Sequence, residues 1–110
     1  MQLPGAIAAA VVDLESGMIL AQAGTGMDLE VAAAGNTEVV RAKMRTMKAL
    51  NLNTEIEDIL ITLGDAYHLI RPIKAKGGAG LFIYAALDRA NANLALARRQ
   101  VAEAEKAFTL

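Results

Sequence analysis

The sequence predicts an α/β protein of the α+β kind, with its elements in the order ββαβββα. Three observations predict it. Two short apolar runs, 5–13 and 17–24, flank a turn cluster. A long segment, 28–50, carries apolar residues at helical spacing. Three more short apolar runs then precede one closing amphipathic stretch. At 110 residues there is room for one core, so the expectation is a single domain over 1–110.

The first two runs, GAIAAAVVD and GMILAQAG, are short and bounded by glycine. Between them lies Asp13-Leu14-Glu15-Ser16-Gly17, with glycine where a positive φ is wanted. They read as a β-hairpin. Both are apolar throughout, so both faces of these strands are expected to be covered.

Gly24-Thr25-Gly26 breaks the chain, and Asp28 or Thr25 can cap the helix that follows. At 100° per residue that helix has three faces. Leu29, Ala33, Asn36, Val40, Met44 and Met47 form a large apolar stripe. Ala32, Gly35, Val39, Ala42, Thr46 and Ala49 form a second stripe, mostly small. Glu30, Glu38, Arg41, Arg45 and Lys48 occupy the rest. One stripe suffices to pack a helix on a sheet. The second suggests close approach of another helix. Gly35 costs up to about 1 kcal/mol relative to alanine inside a helix, which fits a place where bulk is not allowed.

Residues 55–63 (EIEDILITL) and 66–74 (AYHLIRPIK) read as strands around the Gly64-Asp65 turn. Pro72 belongs near the end of its strand, since it has no N–H to donate. The 55–63 strand follows a long helix and has one hairpin partner, so it is expected at the sheet edge. Ile59 and Ile61 are then candidates, with Ala32, Gly35, Val39 and Ala42, for an interface with a second copy. Lys76 to Gly80 is a turn, and 81–87 (LFIYAAL) a fifth strand. Asp88 or Asn91 is expected to cap the last helix, whose apolar face would be Leu94, Ala97, Val101, Ala104 and Phe108.

Charge and composition exclude several function classes. Eleven Lys and Arg against 12 Asp and Glu give a net charge of −1, which argues against a nucleic-acid binder. Hydrophobic residues are 55%, so the chain is not a disordered tail. With no cysteine there is no disulfide framework, thiolate zinc site or Cys nucleophile. The uncharged runs 1–12 and 16–27 are too short to span a bilayer, and no basic region precedes the first. The expectation is a cytoplasmic protein without membrane insertion.

No residue constellation points to catalysis, a cofactor or a metal. His68 is the only histidine and Ser16 the only serine, in a turn, so His68 reads as structural or surface. Glu55, Glu57 and Asp58 have no further ligand nearby and read as a solvated face. Gly24-Thr25-Gly26 precedes a helix but lacks a phosphate-binding fingerprint. Met44 and Met47 read as core filler. Arg41, Arg45 and Lys48 share one helical face. That face is a solvated surface or, more sharply, an electrostatic dock for an acidic protein.

The hairpin VVDLESGMILAQAG, the helix DLEVAAAGNTEVVRA, the hairpin EDILITLGDAYHLIRPI and the closing GLFIYAALDRANANLALARRQVAEAE resemble the Roadblock/dynein light-chain superfamily, most of all its short bacterial members. The resemblance implies a profilin-like sandwich, a five-stranded antiparallel sheet with helices on its faces. It implies a homodimer built through the middle helix and third strand. It also implies a non-enzymatic scaffold or regulator of a small Ras-like GTPase. The alternatives are an adaptor subunit without GTPase contact and a small-ligand sensor.

Overall fold

The computed structural model describes residues 4–74 and 80–107. The elements are β1 (Ala6–Asp13), β2 (Ile19–Gly24), α1 (Leu29–Ala49), β3 (Ile59–Thr62), β4 (Ala66–Pro72), β5 (Leu81–Asp88) and α2 (Leu94–Ala107). The expected order ββαβββα is met. The strands form one antiparallel sheet in the spatial order β2-β1-β5-β4-β3. The expected turn at 76–79 and Phe108 lie outside the described residues.

β5 is central, and Leu81 to Leu87 are buried on both faces. Its side chains alternate. Phe82, Tyr84 and Ala86 meet Ala8, Ala10, Val12 and Ile70 under Leu29, Ala33 and Val40 of α1. Leu81 and Ile83 meet Leu69 and Ile73 under Val101 of α2. Two cores thus share one strand.

Local chemistry sets the ends. Asp13 accepts from the Glu15 N–H at 3.1 Å and the Ser16 hydroxyl at 2.9 Å, and Gly17 supplies φ +77° to close the β1–β2 turn. Asp28 caps α1 by accepting from the N–H groups of Glu30 and Val31. Gly5 packs against the chain entering α2. A Cβ there would lie 2.9 Å from the Ala92 nitrogen and the Asp88 oxygen, so only glycine fits.

Four expectations are corrected. β2 is not covered on both faces: from Leu20 to Gly24 it is exposed, because it is an edge strand and α2 lies over β4 and β5. Its alanines are small, so that exposure costs little. Residues 55–58 are not strand, so Glu55 and Glu57 do not share a strand face, and Asp58 instead pairs with Arg98 at 3.2 Å. The cap of α2 is Asn93, which accepts from the Leu96 N–H at 3.1 Å; Asp88 and Asn91 bond to each other in the turn before it. Finally, Ala104 is exposed and Glu105 buried. The inner face of α2 therefore runs Ala97, Val101, Glu105.

Glu105 is tolerated there because its carboxylate is fully engaged. It accepts from Arg71 Nε at 2.7 Å and from the Lys74 N–H at 2.6 Å. Burial pushes this carboxyl up, but those bonds and the charges of Arg71 and Lys74 outweigh it and leave it below its ordinary value. A carboxyl lowered on folding stabilises the protein above its unfolded-state value, and that contribution fades as pH falls through the folded-state value. Glu105→Gln is expected to cost about 2 kcal/mol at neutral pH by urea denaturation. The difference from the unsubstituted protein should shrink as pH falls below the ordinary glutamate range.

Candidate functional site

The surface of α1 beside β3 is one of the exposed parts of the fold. Of its small stripe, Ala32 is half-buried against the α1-side core, whereas Gly35 and Ala42 are exposed and Val39 is 37% exposed. Apart from its own turns of helix, no described residue comes within 4 Å of where a Cβ on Gly35 would sit. The protomer thus makes no use of its missing side chain. Ile59 and Ile61, on the α1 side of β3, are half-buried beside this stripe. Among the described residues β3 bonds only to β4, so it lies at the edge of the sheet, as expected. Between helix and edge lies an open cleft of about 510 Å³, lined by Val39, Ala42, Lys43, Thr46, Asp58 and Ile59. Ala32, Gly35, Val39, Ala42, Ile59 and Ile61 are therefore brought together on one side. Lys43 and Asp58 also line the cleft, and no periodicity marks them.

The cationic face is less uniform than its spacing suggests. Arg41 is bonded to Glu38 at 3.2 Å and to the carbonyl of Glu15, tying α1 to the β1–β2 turn. Arg45 and Lys48 are exposed, with no ion pair among the described residues.

The other candidates resolve into structural roles. His68 stacks edge-on against Tyr84, with ring centroids 5.4 Å apart, and stands opposite Ile61. The Ser16 hydroxyl is spent in the β1–β2 turn. At the start of α1 the Asp28 carboxylate already occupies the place an incoming phosphate would take. Among the described residues, no three His, Cys, Asp or Glu side chains cluster as metal ligands. No described helix is long and apolar enough to cross a membrane.

Met44 and Met47 depart from the core-filler expectation. Met44 is 39% exposed, and both line a groove under the C-terminal end of α1. The 21 residues of α1 extend about 31 Å. Its buried residues end at Val40, so the apolar stripe outruns the core beneath it.

No protein-family model matches the sequence, and no curated protein sequence does. Solved structures match it in shape. A Roadblock/LC7 domain from Streptomyces avermitilis superposes with TM-score 0.81 at 13% identity, over 96% of this chain and 84% of that one. MglB of Myxococcus xanthus gives 0.78 at 16% identity, over 92% and 78%. The gliding protein MglB of Thermus thermophilus gives 0.78 at 17%, over 96% and 77%. The chain has the Roadblock/LC7 fold. The five-stranded antiparallel sheet with helices on its faces, inferred above from resemblance, is thus confirmed. Identities this low make the likeness one of architecture, so what this Roadblock/LC7 fold does must be argued from its own surface.

Burial pushes the His68 imidazole below its ordinary 6.5, against an upward pull from Asp65. A histidine lowered on folding favours the folded state above its unfolded-state value, and that advantage is lost as pH falls below it. The melting temperature is expected to hold above about pH 7 and to decline as pH falls below about 6.5. His68→Gln should flatten that decline in a pH-series thermal melt.

Proposed function

We propose that the protein is a non-enzymatic, homodimeric scaffold that binds a small Ras-like GTPase in the cytoplasm and regulates or tethers it. The observation that carries the dimer is Gly35. A glycine in the middle of a 21-residue helix weakens that helix, and here it faces open space. Its benefit must lie outside the protomer. Two copies of α1 meeting across Ala32, Gly35, Val39 and Ala42 would come close, and the free edges of β3 would pair about the same two-fold axis. Ile59 and Ile61 would add apolar area to that seam.

The GTPase reading is supported by the Roadblock/LC7 fold, by the sequence resemblance and by likeness in shape to MglB. In this reading Arg45 and Lys48 carry the electrostatic attraction. Arg41, already bonded within the chain, orients the helix and contributes less. The two-fold axis brings both copies of the cationic face to one side, where a partner with an acidic surface would meet them. Such complementarity mainly raises the association rate.

Sedimentation at micromolar concentration should report about twice 11.6 kDa. Ala42→Glu should shift the protein to monomer, because it would bury a charge in the seam; an unchanged dimer places the interface elsewhere. With Arg45→Glu and Lys48→Glu together, association with a Ras-like GTPase of the same source should slow about tenfold at low salt, with the dimer intact. An unchanged rate would reduce this face to a solvated surface.

A further inference from the structure

The groove under the C-terminal end of α1 lies outside the proposed dimer seam and beyond Val40, the last buried residue of the helix. It holds about 500 Å³ and is lined by Met44 and Met47 of α1, by Leu52 and by Pro72, whose register partner Phe82 lies in the α1-side core. Leu52 is 49% exposed and Leu50, the C-cap of α1, 62% exposed. Exposed apolar side chains thus gather at this end of the helix, as they do at interaction sites. Methionine suits such a site, because its unbranched thioether adapts to the shape of an incoming group.

Charge selects the occupant. Lys48 and Lys74 stand at the rim, both exposed and neither in an ion pair among the described residues. Glu55 is the single carboxylate among the described lining residues. Lys48 also belongs to the cationic face of α1, so groove and face are continuous.

We infer that this groove docks a partner-protein segment that inserts one apolar anchor side chain between Met44, Met47 and Pro72 and sets flanking carboxylates against Lys48 and Lys74. The inference rests on the reading of α1 as the docking side, but not on the partner being a GTPase. The anchor fills the space that the stripe of α1 leaves open beyond Val40. The flanking acids give orientation, since the described lining residues offer two cations against one carboxylate. A basic flank would be repelled at the same positions.

The test uses short fluorescein-labelled peptides with a central leucine flanked by glutamates. Lysine-flanked and glycine-centred versions serve as controls, and the unsubstituted full chain is observed by amide NMR. The glutamate-flanked leucine peptide should shift the signals of Met44, Met47 and Leu52. It should bind at least about fivefold tighter than either control, and Lys48→Glu should abolish that preference. Equal binding of glutamate- and lysine-flanked peptides, or shifts confined to β2 or to the Gly35 stripe, would overturn the inference. So would saturable binding of dodecanoate in the groove with no response to any peptide, which would make it a site for small amphiphiles. A chain that binds the peptide here but no GTPase keeps this inference and loses the functional reading above. A chain that binds a GTPase without responding to the peptide does the reverse.

Discussion

The structure depends on a strand that can face water on neither side. From Leu81 to Leu87 every residue of β5 is buried. Such a strand must lie inside the sheet, with β1 and β4 satisfying its backbone on either side. It must also carry a layer on each face. α1 covers Phe82 and Tyr84, and α2 covers Leu81 and Ile83. The chain enters β5 last among the strands, so the two hairpins formed before it become the two halves of the sheet. The outermost strands, β2 and β3, follow from that placement.

The two covering layers are held by different means. α1 has a broad apolar stripe and a carboxylate cap, and it is tied to the β1–β2 turn by Arg41. α2 has fewer inward apolar residues, Ala97 and Val101 foremost, and it is fastened by ion pairs. Arg98 reaches Asp58 ahead of β3, while Arg71 and the Lys74 N–H hold Glu105. Surface pairs such as the first add little. The second is buried and has its bonds made, so it also fixes which side of α2 faces the sheet. A hydrophobic residue at 105 would pack without specifying that rotation.

Where apolar period and cap chemistry agree, the sequence is legible. Asp28, the Asp13–Gly17 turn, the edge position of β3 and Pro72 at the end of β4 could all be read from local rules. The errors fall where tertiary pairing overrides pattern. Glu105 interrupts an apolar face in sequence and completes it in space, because Arg71 lies 34 positions away. Asn93 takes the α2 cap because Asp88 and Asn91 are consumed by each other. Residues 55–58 look like strand, but the β3–β4 ladder starts only at Ile59. The two methionines match the core period, yet no periodicity states how far the core beneath a helix extends. That length is set by the sheet.

α1 therefore serves three directions at once, and the limits on each explain its composition. Toward the sheet it needs bulk, met by Leu29 and Val40, while Ala33 lets it approach. Toward β2 it needs a long side chain to reach the turn, met by Arg41. Away from both, bulk would be harmless in the isolated protomer, and helix stability would favour alanine or leucine over glycine. Gly35 and Ala42 occupy that third side all the same, beside the unpaired edge of β3. Packing against the other described residues does not account for Gly35, since none of them comes within 4 Å of where its Cβ would sit. The C-terminal turns of α1 differ again: Met44 and Met47 are large where Gly35 is small. One helix thus presents a flat side suited to close helix packing and a hollow end suited to an inserted side chain. These are geometries for different occupants, so a second copy on the flat side would leave the hollow end to a different protein.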